Sequence, residues 1–149
     1  MTKYFIALGS NVEATNVKKI EVINNTLDCF SKFDISLIRV SSFWESKSYP
    51  DKTQPNFINA VSEVSANLNP YQFLGVLKEI EIMFGRKKNK RWGNRVLDLD
   101  ILSSSSLIIP NLLVLNKWIK MPLLQQTKVQ PGKLILPHPR IQDRLFVLK

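Results

Sequence analysis

The 149-residue chain has one cysteine, Cys29, and one histidine, His138. A lone thiol closes no internal disulfide, and one thiol with one imidazole cannot build a zinc cage, so a reducing, cytoplasmic location is expected. No G-x-x-x-x-G-K-[ST] loop occurs, so a bound polyphosphate must be held by side chains and metal. Long apolar runs are missing too. The N-terminal MTKYFIALGSN lacks the apolar region and cleavage site of a secretory signal, and LIIPNLLVLNKWI is broken by Pro110, Asn111, Asn116 and Lys117, short of a membrane span. Acidic residues are the scarcer charge, 12 against 21 Lys and Arg. The resulting net charge of +9 points to a polyanionic partner: nucleic acid, an anionic membrane surface or a small polyanion such as a nucleotide. What is present, 44% apolar and 22% charged residues, suffices for one globular domain over 1–149.

The apolar pattern predicts a strand over Lys3 to Leu8, stopped by Gly9-Ser10-Asn11 acting as turn and cap. Val17, Ile20, Ile23, Leu27 and Phe30 then recur at helical spacing. Ile35 to Glu45 and Phe57 to Ala66 read as two strands, separated by a loop with Pro50, Asp51 and Pro55. Asn69-Pro70 supplies an N-cap and first-turn proline for a second helix bearing Phe73, Leu74, Leu77, Ile80 and Phe84, ended by Gly85. Arg95 to Leu102 is the last predicted strand. The order strand, helix, strand, strand, helix, strand predicts an α+β domain: ferredoxin-like, with a largely antiparallel sheet covered by helices on both faces. Residues 103–136 read as an excursion from that sheet, packed as a flap or forming an oligomer contact.

The chemistry concentrates in KRWGNRVLDLDI. Strand residues alternate in direction, so Asp98 and Asp100 share one face while Leu97, Leu99 and Ile101 share the other. Two carboxylates about 6–7 Å apart repel by roughly 2–3 kcal/mol at an effective dielectric near 20. A divalent cation reverses that sign, and hard oxygen donors suit magnesium. The alternative is one aspartate solvated at a sheet edge and the other paired with an arginine. Six cations precede the pair: Arg86, Lys87, Lys88, Lys90, Arg91 and Arg95. Alone they suggest a solvated loop or a nucleic-acid patch. Leading into an acidic pair, they suit a triphosphate, with Trp92 as a movable aromatic cover.

ALGSN at 7–11, SSFWES at 41–46, QPNFINAV at 54–61, IEIMFGR at 80–86, RWGNRVLDLDI at 91–101, LPHPR at 136–140 and RLFVL at 144–148 occur in one order. Together they resemble the 6-hydroxymethyl-7,8-dihydropterin pyrophosphokinases of folate biosynthesis, which move diphosphate from ATP to a pterin alcohol and release AMP. The resemblance implies that Asp98 and Asp100 hold two magnesium ions. It implies that Arg86 and Arg95 neutralise charge on the transferring phosphoryl group, making these four the catalytic set. ATP would meet Glu81, Arg91, Trp92, Arg95, Ile101, His138 and Arg144; the pterin would meet Ser46, Phe57, Asn59 and Phe146. Partners would be ATP and a reduced pterin alcohol, with no nucleic acid or membrane, and a monomer is favoured. Without the resemblance, another D-x-D nucleotide transferase or a basic RNA-binding ferredoxin-like module would fit the same features.

The chain departs from the family between Ile101 and Leu136, where it is longer than compact members. Asn94 stands where proline is common and Lys78 where glutamine is frequent, and the loop from Arg86 to Trp92 is one residue short.

Overall fold

The computed structural model describes residues 1–85 and 96–148. The chain runs β1 (Thr2–Ser10), α1 (Asn16–Cys29), a 3-10 turn (Phe30–Phe33), β2 (Ile35–Val40), β3 (Trp44–Ser46), β4 (Phe57–Ala66), α2 (Pro70–Met83) and β5 (Asp98–Ser104). Beyond the sheet come α3 (Leu112–Lys120), α4 (Leu123–Lys128), a second 3-10 turn (Ile141–Asp143) and α5 (Leu145–Leu148).

The sheet order is β2-β4-β1-β5, with β3 also on β4, and every strand pair is antiparallel. This is the ferredoxin-like arrangement of an α+β domain, as expected. Alternation sorts the residues. Tyr4, Ile6 and Leu8 of β1, Ile58, Ala60 and Val64 of β4, and Leu99 and Ile101 of β5 are buried with Ile23 of α1 and Phe73, Leu77 and Ile80 of α2. Each Leu, Ile, Val or Phe among them contributes about 1.5–3 kcal/mol by leaving water. The other sheet face is left for α5, which touches β3 and β4, and for the cavity described below.

Both crossover helices begin on side-chain caps. Asn69 accepts from the backbone N–H groups of Tyr71 and Gln72, and Gln72 returns a bond to the Asn69 N–H, closing a capping box around Pro70. Gly85, at φ 92°, ends that helix in the left-handed region. Thr15 caps α1 by accepting from Lys18 N–H.

Three expectations are corrected. Gly9 and Ser10 are not turn and cap: both belong to β1, and Gly9 pairs with Asn59 on one side and Asp98 on the other. The stretch Ile35 to Glu45 is not one strand. Ser41 Oγ accepts the Val61 N–H at 2.9 Å, a bond that a continuous strand would give to a backbone carbonyl, and pairing restarts at Trp44. The helical face holds Ile23 and Phe30 in the core but leaves Val17 65% exposed, because Lys19 turns inward to donate to Asn56 O at 2.6 Å. Residues 103–136 do leave the sheet. An isolated bridge between Ile109 and Leu136 closes the base of the excursion, which carries α3 and α4. Gln126 holds the α3–α4 turn through bonds from Nε2 to Trp118 O and Met121 O.

Candidate active site

A cavity of about 920 Å³ opens against the sheet face opposite the core, between the strands, the α3–α4 excursion and the segment from His138 to Leu145. Ser46, Phe57, Asn59, Asp98, Asp100, Ile101, His138 and Arg144, eight residues singled out from the sequence, all line it. Arg86, Arg91, Trp92 and Arg95 lie outside the described residues, as does the side chain of Phe146, whose backbone is in α5.

One wall is apolar and amide-bearing. Phe57 and Asn59 stand two apart on β4 and point the same way. Asn59 Nδ2 donates to Ser46 Oγ at 2.8 Å and to Trp44 O at 3.1 Å, so both amide hydrogens are used within the protein. The side-chain carbonyl is left to accept from a ligand N–H, and the Ser46 hydroxyl hydrogen can still donate. Gly9 forms the floor. A Cβ there would approach both Asn59 Oδ1 and Phe57 Cδ1 to 3.3 Å, so the wall can close over the strand because the glycine has no side chain.

The other wall is charged. Asp98 and Asp100 pair with Gly9 and Ala7 of β1 and share one strand face, as the alternation requires. Arg144 Nη1 donates to Asp100 Oδ2 at 2.8 Å, so the arginine-paired alternative describes one member of the acidic pair, with the cavity open beside it. Burial acts to raise Asp100, but Arg144, His138 and Lys78 together outweigh it and hold the carboxyl far below the usual range. Burial acts against the Arg144 charge as well, and Asp100 more than compensates, raising that guanidinium. For His138, burial and then the charges of Arg144 and Arg140 outweigh the pull of Asp100 and lower it to about 4. His138 is therefore neutral at pH 7. Its Nδ1 accepts the Arg140 N–H at 3.2 Å, so its proton is on Nε2.

Glu81 is in a different position. Its carboxylate is buried on α2 rather than lining the cavity, accepts the Leu99 N–H at 2.8 Å, and is paired with Lys78 at 3.3 Å. It fixes the β5 backbone between the two aspartates, while Lys78 itself reaches the cavity. Among the described residues, no group of three or more His, Cys, Asp or Glu gathers at one point. Two carboxylates beside an open cavity fit magnesium, which completes its shell with water and phosphate oxygens.

Gly9 and Lys78 are site residues that sequence reasoning underweighted. A glycine inside a strand is a signal of close backbone approach and could have identified the first. Trp118, Leu123 and Gln126 of the excursion also line the cavity, and no local pattern marks them. Among the described residues, no helix is long and apolar enough to cross a membrane.

The family model for 7,8-dihydro-6-hydroxymethylpterin-pyrophosphokinase matches residues 5–149. The chain is 38% identical to the 2-amino-4-hydroxy-6-hydroxymethyldihydropteridine pyrophosphokinase of Haemophilus influenzae, over 99% of this chain and 78% of that one. It is 30% identical to the protein of the same name from Bacillus subtilis, over 97% and 72% respectively. It also matches a folate synthesis bifunctional protein of Arabidopsis thaliana at 35% identity, over 96% of this chain and 25% of the plant protein. The chain, with its acidic pair and its amide wall on one sheet face, belongs to the 7,8-dihydro-6-hydroxymethylpterin-pyrophosphokinase family.

Proposed function

We propose that this chain transfers diphosphate from ATP to the hydroxymethyl group of 6-hydroxymethyl-7,8-dihydropterin, releasing AMP, as a step of folate biosynthesis. The observation that carries the residue assignments is the sheet register. Asn59, Gly9 and Asp98 follow one another across β4, β1 and β5, so a heterocycle on the amide wall lies beside the acidic pair.

In this reading the ring stacks on Phe57, the Asn59 carbonyl accepts its N–H edge, and the Ser46 hydroxyl donates to it. Phe146, by its match to the family motif, meets the other face of the ring. Asp98 and Asp100 hold magnesium, two ions with ATP bound. When bound, the metal neutralises phosphate charge and polarises the oxygens involved in transfer. The neutral His138 presents its Nε2–H as a donor to a phosphate oxygen, with Arg144 beside it. Ile101 borders the part of the cavity that takes the nucleoside, and Glu81 acts by holding β5 in place. Arg86, Arg91, Trp92 and Arg95, by their match to the family motif, clamp and cover the triphosphate; Arg86 and Arg95 stabilise charge as the β-phosphoryl group is attacked. Catalysis then rests on positioning and electrostatics, with no P-loop required. We further propose a cytoplasmic monomer acting on these two small molecules without nucleic acid or membrane.

Purified protein with ATP, magnesium and the pterin alcohol should yield AMP and the pterin diphosphate. Release of ADP as the sole nucleotide product would reject the reaction.

A further inference from the structure

Asp100 already has a cation. Arg144 Nη1 lies 2.8 Å from Asp100 Oδ2, and the two side chains, 21% and 28% exposed, sit in the cavity wall with one side open. A divalent ion shared by Asp98 and Asp100 would compete with the guanidinium for this oxygen and be repelled by it at short range. A triphosphate offers the guanidinium a replacement, because its oxygens match the fork geometry as well as a carboxylate does. The Arg144 backbone is held on both sides: its N–H donates to Ile141 O at 3.1 Å, and its carbonyl accepts from Val147 N–H at 2.9 Å. Transfer from carboxylate to phosphate is thus a side-chain rotation and needs no movement of the chain.

We propose that Arg144 is a positioning residue that occupies Asp100 as its counter-ion until nucleotide phosphates draw it away, so that the acidic pair takes up metal with the nucleotide and not before it. The inference rests on the metal-holding role given above to Asp98 and Asp100. Arg144 keeps the two carboxylates apart from free divalent ions and couples their availability to the arrival of the triphosphate.

The test is Mn2+ binding to the full chain without nucleotide, followed by electron paramagnetic resonance or calorimetry. Affinity should increase in the order wild type, Arg144→Lys, Arg144→Gln, with at least about a tenfold difference between the ends of the series. Adding Asp100→Asn to Arg144→Gln should remove the gain. Arg144→Lys alone decides the matter if the glutamine variant does not fold, since it loses the fork but keeps the charge. Equal affinities, or tighter binding by the wild type, would overturn the assignment. A second arm, with a nonhydrolysable ATP analogue, separates this outcome from failure of the metal site. Mn2+ uptake there that ignores Asp98→Asn and Asp100→Asn would reject the site itself. Uptake that depends on them, with no difference among the Arg144 variants in the first arm, would reject only the counter-ion.

Discussion

Asn59 and Asp98 occupy one row of the sheet, on either side of Gly9. Two strand spacings put their Cα atoms about 10 Å apart. The residue between them has no side chain, so nothing rises from the floor to separate a ring on the amide wall from charge at the acidic pair. The proposed reaction uses this adjacency: the hydroxymethyl oxygen must meet a phosphoryl group, and backbone pairing sets Asn59 and Asp98 beside one another.

Gly9→Ala tests the floor. The new methyl would approach Asn59 Oδ1 and Phe57 Cδ1 to 3.3 Å, so either side chain must give way. The KM for the pterin should rise by about tenfold, roughly 1.4 kcal/mol, with little change in the KM for ATP. Steady-state kinetics with each substrate varied in turn would measure this; equal effects on both would mean the floor serves the whole cavity.

Glu81→Ala should destabilise the protein and loosen the acidic strand together. The Leu99 N–H, now bonded at 2.8 Å, would be left buried without its acceptor at a cost of about 1–3 kcal/mol. A lower urea midpoint is expected, along with a higher magnesium requirement for turnover. Glu81→Gln retains an acceptor oxygen and should lose less on both counts.

His138 should impose a pH dependence on stability. Its pKa is lowered from 6.5 to about 4 in the folded protein, so between these values the unfolded chain binds more protons. The contribution is fully present above pH 6.5 and is lost as pH falls toward 4. With partial exposure it should amount to about 1–3 kcal/mol. Urea melts in chelator, compared between wild type and His138→Gln, should show a steeper loss for the wild type across this window. Parallel curves would mean that the imidazole titrates normally.

Much of this fold is legible in sequence, and the exceptions have identifiable causes. Phe57 to Ala66 is recognised at its observed bounds because Phe57, Ile58, Val61 and Val64 lie between the Pro50–Pro55 loop and the Asn69-Pro70 helix start. Asp98 and Asp100 are legible because a period of two admits only one relative orientation. The division of Ile35 to Glu45 depends on a single side-chain bond, from Val61 N–H to Ser41 Oγ, which no apolar pattern records. The join of Arg144 to Asp100 spans 44 residues and exists only once the C-terminal segment docks. The excursion was recognisable as a departure from the sheet, yet its two helices and its place in the cavity wall depend on the Ile109–Leu136 bridge and on Gln126.

The acidic pair is tested most directly by measuring turnover and pterin affinity side by side in Asp98→Asn and Asp100→Asn. Removing one carboxylate from a charge-stabilising site should lower kcat by at least about 10²-fold. Pterin affinity, measured by calorimetry with the ATP analogue and magnesium present, should change far less, because Phe57, Asn59 and Ser46 lie on β3 and β4 rather than β5. Parallel loss of turnover and pterin binding would contradict the division of the site and make the aspartates part of the pterin wall.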